Sequence, residues 1–179
     1  MQLHLMASEG SLHGYGQVFL QLIRTPFQHA DMVWGVVPLY FGWLINETNS
    51  SKASYRTAAQ TGFALCWAAA HWLWQYFGSH PARETRHGIT AFFAVNMVVT
   101  VLVLAVGLLA LISGIRGRFP KYGSFLGHTR FSAYFMIAIF PIQSNYLSWS
   151  WDRLMAILVF AVPIWLSLHV CFLPLRRAK

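Results

Sequence analysis

The sequence predicts an all-α integral membrane protein: a helical bundle of about five transmembrane helices, preceded by an amphipathic interfacial helix. Apolar residues make up 56% of the 179 residues and charged residues only 10%, which is too few charged groups to solvate the surface of a soluble domain of this size. The apolar residues form five long runs, and basic residues fall mainly in alternate gaps between them. The runs cover residues 32–45, 55–77, 88–115, 131–147 and 154–173. The second, third and fifth reach the roughly 20 residues that a spanning helix needs.

The chain divides into three parts on this interpretation. Residues 1–30 form an N-terminal segment, residues 31–173 a five-helix transmembrane domain, and residues 174–179 a basic C-terminal tail.

The first predicted helix covers residues 14–28 and has two faces. Tyr15, Phe19 and Leu22 recur at helical spacing, whereas Gln17, Gln21, Arg24 and Gln28 form a polar stripe. The segment is too short and too polar to span, so we expect it to lie in the membrane interface and to end near Pro26. The alternative is a helix that packs against the bundle.

Two of the five runs are ambiguous as spans. The first is only about fourteen residues long, between Asp31 and Asn46, and the fourth contains polar residues after Pro141. With five spans, nine basic residues fall on one side of the membrane and four on the other; without the fourth span the same residues divide seven to six. Because cytoplasmic loops are enriched in Lys and Arg, we predict five spans, with the N-terminus outside and the C-terminus cytoplasmic.

The basic residues also indicate what the chain contacts. The formal charge is +8, but these residues flank the spans and do not share one soluble face, so the charge does not indicate nucleic acid. Those on the inner side form a rim that attracts anionic lipid headgroups.

Small residues in the second and third runs predict close helix packing. They are Gly62, Ala64 and Ala68 in the second run, and Gly107, Ala110 and Gly114 in the third. Such side chains allow two helices to approach closely in a membrane, and we expect the second run to be the central helix.

Three prolines inside runs, Pro38, Pro141 and Pro163, each free a backbone carbonyl four residues earlier. The freed carbonyl of Trp34, Ile137 or Val159 must find another donor.

Polar side chains within the runs suggest one possible site. Those predicted in the outer half of the bundle are Asn96, Thr100, Gln143, Asn145 and His71. The functional hypothesis is a small polar or headgroup site between spans two, three and four, because inward-facing polar groups are costly in a membrane. The alternative is interhelical hydrogen bonding that fixes helix register.

His71 and His169 are the candidate ligands for a haem or chlorophyll. Opposite span directions place them near opposite surfaces, so one haem cannot join them, although single axial ligation remains open. No other cofactor is expected. We also expect no metal site, because the two cysteines, Cys66 and Cys171, are too few for a thiolate site. The spacing of a further set of polar residues is typical of solvated residues; these are His29, Asp31, His80, Glu84 and His87.

We interpret residues 46–51 as a polar turn.

Segments of the sequence resemble small five-span membrane proteins of prokaryotes, archaeal ones among them, and the Yip-domain group. The resemblance lies in residues 129–142, in 158–166 with Pro163, in 34–47 and in 67–72. It implies a membrane scaffold or adaptor in a prokaryotic cytoplasmic membrane, and it transfers no catalytic residue.

The function predicted from sequence is therefore that of a non-catalytic scaffold or accessory subunit. We expect it to bind other membrane proteins, or itself, through small-residue faces and the amphipathic helix. The alternatives are a small-molecule or lipid transporter or channel component, and a pigment- or haem-ligating subunit of an electron-transfer or photosynthetic complex. Proton-coupled transport is disfavoured because only Asp31 and Asp152 adjoin span ends, which leaves no buried carboxylate.

Overall fold

The computed structural model describes residues 12–48, 55–78, 91–117, 130–172 and 174. Regular structure within these residues is entirely α-helical, so the all-α class is confirmed for them. In chain order the helices are α1 (Leu12–Gln28), α2 (Ala30–Thr48), α3 (Tyr55–Phe77), α4 (Ala91–Arg116), α5 (Arg130–Gln143) and α6 (Trp151–Cys171).

The helix boundaries lie within three residues of the ends of the apolar runs, except at the end of α5. The helix α3 begins and ends where its run does. The helix α2 continues to Thr48, so the predicted polar turn is wrong at Asn46 and Glu47, which are buried in the last turn of α2. The helix α5 ends at Gln143, four residues before the end of the predicted run.

A Schellman motif terminates α5. Asn145 has a positive φ of 60°, a conformation that Asn tolerates better than most residues. The amide of Tyr146 donates to the Pro141 carbonyl at 3.0 Å, and the amide of Asn145 donates to the Ile142 carbonyl at 3.0 Å. These are the two hydrogen bonds of the motif. The 14 residues of α5 are therefore about 21 Å long.

Successive helices from α2 to α6 run in opposite directions. At one end of the bundle, which we call the Asp31 end, Asp31 at the start of α2 meets Gln75 at the end of α3 and Tyr146 in the turn between α5 and α6. At the other end, the Glu47 end, Glu47 near the end of α2 meets His169 near the end of α6. Asn46 meets Thr61 of α3 at the same end.

The most completely buried helix is α5, whereas the sequence favoured the second run. Every residue from Met136 to Ser144 is buried, and α5 packs against α1, α2, α3 and α6. The helix α3 is buried mainly along one face, which contains Ala64 and Ala68.

The most apolar helices lie at the edges of this bundle. Among the described residues, two helices are long and apolar enough to cross a membrane: Phe93–Arg116 within α4, and Trp151–Cys171. Only 22% of the first apolar stretch and 17% of the second is buried. In most soluble proteins a helix that is apolar all round lies in the core, and these two do not.

The helix α1 packs along the side of the bundle. Phe19 and Leu22 are buried, and the Phe19 ring stacks on Phe160 of α6 with 5.8 Å between ring centroids. The polar stripe of α1 points away from the bundle, and its members Gln17, Gln21, Arg24 and Gln28 are exposed. This is the packing arrangement that the sequence left as the alternative to an interfacial helix.

Glycines bring α3 and α4 into backbone contact. A Cβ atom on Gly62 would lie 2.7 Å from the Gly107 carbonyl oxygen, one on Gly107 would lie 3.0 Å from the Cys66 nitrogen, and one on Gly114 would lie 2.5 Å from the Ala59 nitrogen. Real Cβ atoms do not approach backbone at the shorter of these distances, so α3 and α4 pack this closely only because these positions are glycine. The other three predicted packing residues, Ala64, Ala68 and Ala110, are buried.

One carbonyl freed by proline has found its donor. Pro38 cannot donate to the carbonyl of Trp34, and the indole nitrogen of Trp67 donates to that oxygen at 2.8 Å. This hydrogen bond joins α2 to α3 where the helix ladder of α2 is interrupted.

The Gly62→Leu variant tests the close approach of α3 and α4. We expect it to lower the free energy of unfolding by about 3 kcal/mol, because a side chain there must push the α4 backbone away. Ala70→Leu is the matched control, since Ala70 lies on an exposed part of α3. Unfolding in detergent, followed by circular dichroism, measures the difference, and equal losses in the two variants would contradict this packing.

Candidate functional site

A carboxylate at the Asp31 end joins three parts of the chain. The Oδ2 atom of Asp31 accepts a hydrogen bond from Gln75 Nε2 at 3.1 Å and another from the Tyr146 hydroxyl. The His29 ring lies against the Tyr146 ring with centroids 4.4 Å apart. Asp31 therefore fastens the α5–α6 turn to the beginning of α2 and the end of α3.

His71 takes part in the same network. Its Nε2 atom is 3.4 Å from Gln75 Nε2, and because an amide nitrogen is a donor, a neutral ring with its proton on Nδ1 fits this contact. The ring stacks on Phe140 with centroids 5.6 Å apart, and both rings lie where a Cβ on Gly35 would be. Axial ligation of a haem or chlorophyll through Nε2 would require His71 to give up the Gln75 contact.

The hydrogen bonds to Asp31 change its acidity. Burial works to raise the pKa of the Asp31 carboxyl, but the hydrogen bonds from Tyr146 and Gln75 stabilise the ionised form and lower the pKa below its ordinary value. Folding is therefore favoured by ionised Asp31 above the ordinary carboxyl pKa, and this contribution is lost as the pH falls through the lowered pKa.

Asn96 forms a second connection at the same end. Its Nδ2 atom donates to the Tyr76 hydroxyl on α3, and its Oδ1 atom accepts from the indole nitrogen of Trp149, just before α6. Thr100 donates to the Asn96 carbonyl oxygen at 2.7 Å, within α4 itself. Contacts of this kind fix the register of neighbouring helices, which was the alternative to a functional site, because the side chain of Asn96 hydrogen-bonds with two other segments of the chain.

The remaining two residues of the predicted polar site lie at the end of α5. Asn145 supplies the left-handed residue of the turn. Gln143 is fully buried, and neither its amide nitrogen nor its amide oxygen has a hydrogen-bond partner among the described residues. An amide without partners is costly in an apolar interior, so Gln143 is the member of the set whose role is not explained by helix register.

The Glu47 end contains an acidic site that the sequence analysis missed. Glu47 is 0% exposed, and its Oε2 atom is 3.4 Å from Nδ1 of His169, which is partly exposed. The Trp165 ring lies beside His169 with centroids 5.6 Å apart. The prediction that the chain has no buried carboxylate is therefore wrong, because α2 continues through Glu47 and the end of α6 packs beside it.

The two predicted cofactor ligands lie at opposite ends of the bundle. His71 belongs to the Asp31 network and His169 to the Glu47 pair. The His71 ring lies against Gly35 of α2 and His169 lies beside Glu47. These two positions are twelve residues apart along α2, or about 18 Å at 1.5 Å per residue, and one haem cannot bridge that distance.

Several residues considered in the sequence analysis lie outside the described residues. They include His80, Glu84 and His87, and most of the basic inner rim with residues 175–179. Within residues 12–48, 55–78, 91–117 and 130–172, no three His, Cys, Asp or Glu side chains are grouped in a way that could hold a metal ion.

Comparison of the chain with family models, curated proteins and solved structures finds no match. The resemblance to five-span prokaryotic membrane proteins and the Yip-domain group stays a prediction.

Replacing Tyr146 with Phe tests the role of the Asp31 carboxylate. The variant loses one donor to an ionised acceptor, so we expect the pKa of Asp31 to rise and the free energy of unfolding to fall by about 2 kcal/mol near pH 7. The difference from the wild type should shrink as the pH falls below about 3.9, where the unfolded carboxyl is protonated. Unfolding in detergent at several pH values measures this.

Tyr76→Phe is the matched control for that experiment. It removes a hydroxyl that contacts the uncharged amide of Asn96, so its effect should not follow the ionisation of a carboxyl. The same pH dependence in both variants would contradict the role given to Asp31.

Proposed function

We propose that the protein is a non-catalytic integral membrane protein whose five helices α2 to α6 cross the bilayer, and that it serves as a scaffold or accessory subunit of a larger membrane complex. The exposure of its most apolar helices supports the membrane location. The helices α4 and α6 present large aliphatic side chains over most of their length, for example Val98, Leu102 and Leu109 on α4, and Leu158 and Leu166 on α6. A continuous apolar surface of this kind is favourable against lipid and unfavourable in water.

The alternating helix directions support five crossings. The short helix α5 begins near the Glu47 end, where Tyr134 packs against Trp43 with ring centroids 6.4 Å apart. The turn after α5 reaches the Asp31 end through Tyr146 and Trp149. Because α5 is surrounded by other helices, its length of about 21 Å does not have to match the full hydrocarbon thickness of roughly 30 Å.

The orientation proposed for the bundle follows from the basic residues. The Asp31 end faces outward, and the Glu47 end faces the cytoplasm of a prokaryotic cell. Arg56 and Arg116, at the start of α3 and the end of α4, are exposed at the Glu47 end, as the excess of cytoplasmic Lys and Arg requires.

The exposed polar stripe of α1 is the main observation that supports the scaffold function. Phe160, on which Phe19 stacks, is the tenth residue of α6 and therefore lies about 14 Å along that helix. The exposed side chains of Gln17 and Gln21, two residues to either side of Phe19, then lie beside the middle of the bundle, at a depth where lipid would leave them poorly solvated. Arg24 lies one turn before the end of α1, nearer the Asp31 end. A polar face on another membrane protein would hydrogen-bond with them.

The small-residue faces do not serve as the partner surface in this proposal. Gly62, Gly107 and Gly114 are used between α3 and α4, and Ala64, Ala68 and Ala110 are buried. The partner therefore docks on α1, the other of the two surfaces expected from the sequence.

Transport of a small polar solute or proton is the second candidate function. Two observations favour it: the buried carboxylate of Glu47 beside His169, and the buried amide of Gln143. Intramembrane ionisable groups commonly mark ion or proton pathways. The two groups lie toward opposite ends of the bundle, and a pathway would have to connect them.

Isolation of the tagged protein in a mild detergent tests the scaffold proposal. We expect a second polypeptide at fixed stoichiometry, and we expect its loss in a Gln21→Ala, Arg24→Ala double variant, because the polar stripe would no longer bind it. Leu102→Ala is the matched control: it shortens an exposed side chain on α4 and should leave the complex intact.

Two results would contradict parts of this proposal. If the protein is isolated in the mild detergent without a second polypeptide and without visible absorbance, transport becomes the favoured function. A complex that survives loss of the polar stripe would remove α1 as the docking surface.

A further inference from the structure

An apolar groove runs between α2 and α3 on the outside of the bundle. It has a volume of about 340 Å³. Its lining residues are Pro38, Phe41, Gly42 and Ile45 of α2, and Ala59, Gln60 and Phe63 of α3. Ile45 is the seventh residue after Pro38 along α2, so the groove extends about 10 Å along the helix axis. A volume of this size spread over this length has the dimensions of a narrow apolar chain.

The local sequence explains why the groove is there. Pro38 interrupts the helix ladder, and Gly42 offers no side chain between the exposed rings of Phe41 and Phe63. Filling the space from Gly42 is hindered, since a Cβ there would already be 3.3 Å from the Cβ of Ala64. The helices are fixed at this separation by the Trp67–Trp34 hydrogen bond on one side and the Asn46–Thr61 hydrogen bond on the other.

A polar side chain and then a cationic one follow on α3 toward the Glu47 end of the groove. Arg56, Gln60 and Phe63 are spaced four and three residues apart, so they share one face of α3. Phe63 and Gln60 line the groove, the amide oxygen of Gln60 is buried without a partner among the described residues, and Arg56 is exposed one turn further on. The order along the face is apolar, uncharged polar and positively charged.

We propose that this groove binds one acyl chain of an anionic glycerophospholipid, with the phosphate of the lipid at Arg56. The groups of a glycerophospholipid complement this face of α3 in order: the hydrocarbon chain lies in the groove, the polar glycerol region follows, and the negative phosphate lies at Arg56. A cation near the headgroups attracts anionic lipid, and the groove fixes one lipid in place where the basic rim alone would attract many. The inference rests on the membrane location proposed above, because only then does the groove face acyl chains.

Charge and shape are tested separately by two variants with matched controls. Arg56→Gln removes the cation at the groove, and Arg116→Gln removes an exposed cation at the same end but on α4. Ile45→Trp fills the groove from a partly exposed position, and Ile115→Trp enlarges an exposed side chain on α4. None of these positions lies on the α1 stripe that the scaffold proposal uses.

The experiment uses the full chain in phosphatidylcholine bilayers that contain a minor fraction of spin-labelled phosphatidylglycerol or, for comparison, spin-labelled phosphatidylcholine. Flotation with the vesicles is measured first. Spin-label spectra then give the immobilised fraction of each lipid. We expect a preference for phosphatidylglycerol that falls about fivefold in Arg56→Gln and an immobilised fraction that falls in Ile45→Trp. Both control variants should match the wild type.

Three outcomes would overturn the lipid site. A chain that floats with the vesicles but shows no preference, or loses it equally in Arg56→Gln and Arg116→Gln, leaves the proposed membrane location in place and removes the site. A change of oligomeric state in Ile45→Trp, without a change in bound lipid, assigns the groove to a second copy of the chain. A chain that does not float at all removes the membrane location together with the site.

Discussion

Large apolar side chains are exposed along five of the six described helices, and in the proposed membrane location this constraint governs how the helices pack. In lipid, the transfer of apolar side chains from surface to core releases little free energy, so helices associate through close packing and hydrogen bonds. The contact between α3 and α4 illustrates the first, since Gly62 and Gly114 place backbone against backbone. The contacts of Asp31 and Asn96 illustrate the second, because each residue joins separate segments of the chain.

The polar side chains inside the bundle divide into two kinds. Asp31, Gln75 and Asn96 hold helix ends together, and their hydrogen bonds account for the presence of polar groups at this end of the bundle. Glu47 and Gln143 are different: Glu47 is a fully buried carboxylate beside a partly exposed His169, and Gln143 is a buried amide without a hydrogen-bond partner among the described residues, which costs stability. An activity other than the proposed scaffold function would therefore be sought first at these two residues. The same reasoning applies outside the bundle, where the polar stripe of α1 and Arg56 at the end of the groove interrupt an otherwise mostly apolar surface.

The sequence predicted the helices well because an apolar run of this length favours the helical conformation from its local sequence alone. It predicted the polar segments less well, since their structure depends on distant contacts. The local sequence at Asn46 and Glu47 predicts a turn. These residues are helical and buried because the end of α6 packs beside α2, with His169 against Glu47. The end of α5 depends on the left-handed conformation of Asn145, which an Asn permits but does not require. The central position of α5 could not be read from composition, because its residues are no more apolar than those of α4.

The most direct test of a membrane-embedded bundle is to measure how deep in the bilayer the exposed side chains of α4 and α6 lie. Nitroxide labels at Leu102 and Leu166, 59% and 53% exposed, would be compared with a label at Arg116 in a protein lacking Cys66 and Cys171 and reconstituted in vesicles. We predict that collisions with oxygen, which dissolves in the bilayer, dominate at Leu102 and Leu166, and that collisions with a water-soluble nickel chelate dominate at Arg116. Frequent collisions with the chelate at all three positions would contradict the account, because the apolar faces of both edge helices would then be in water.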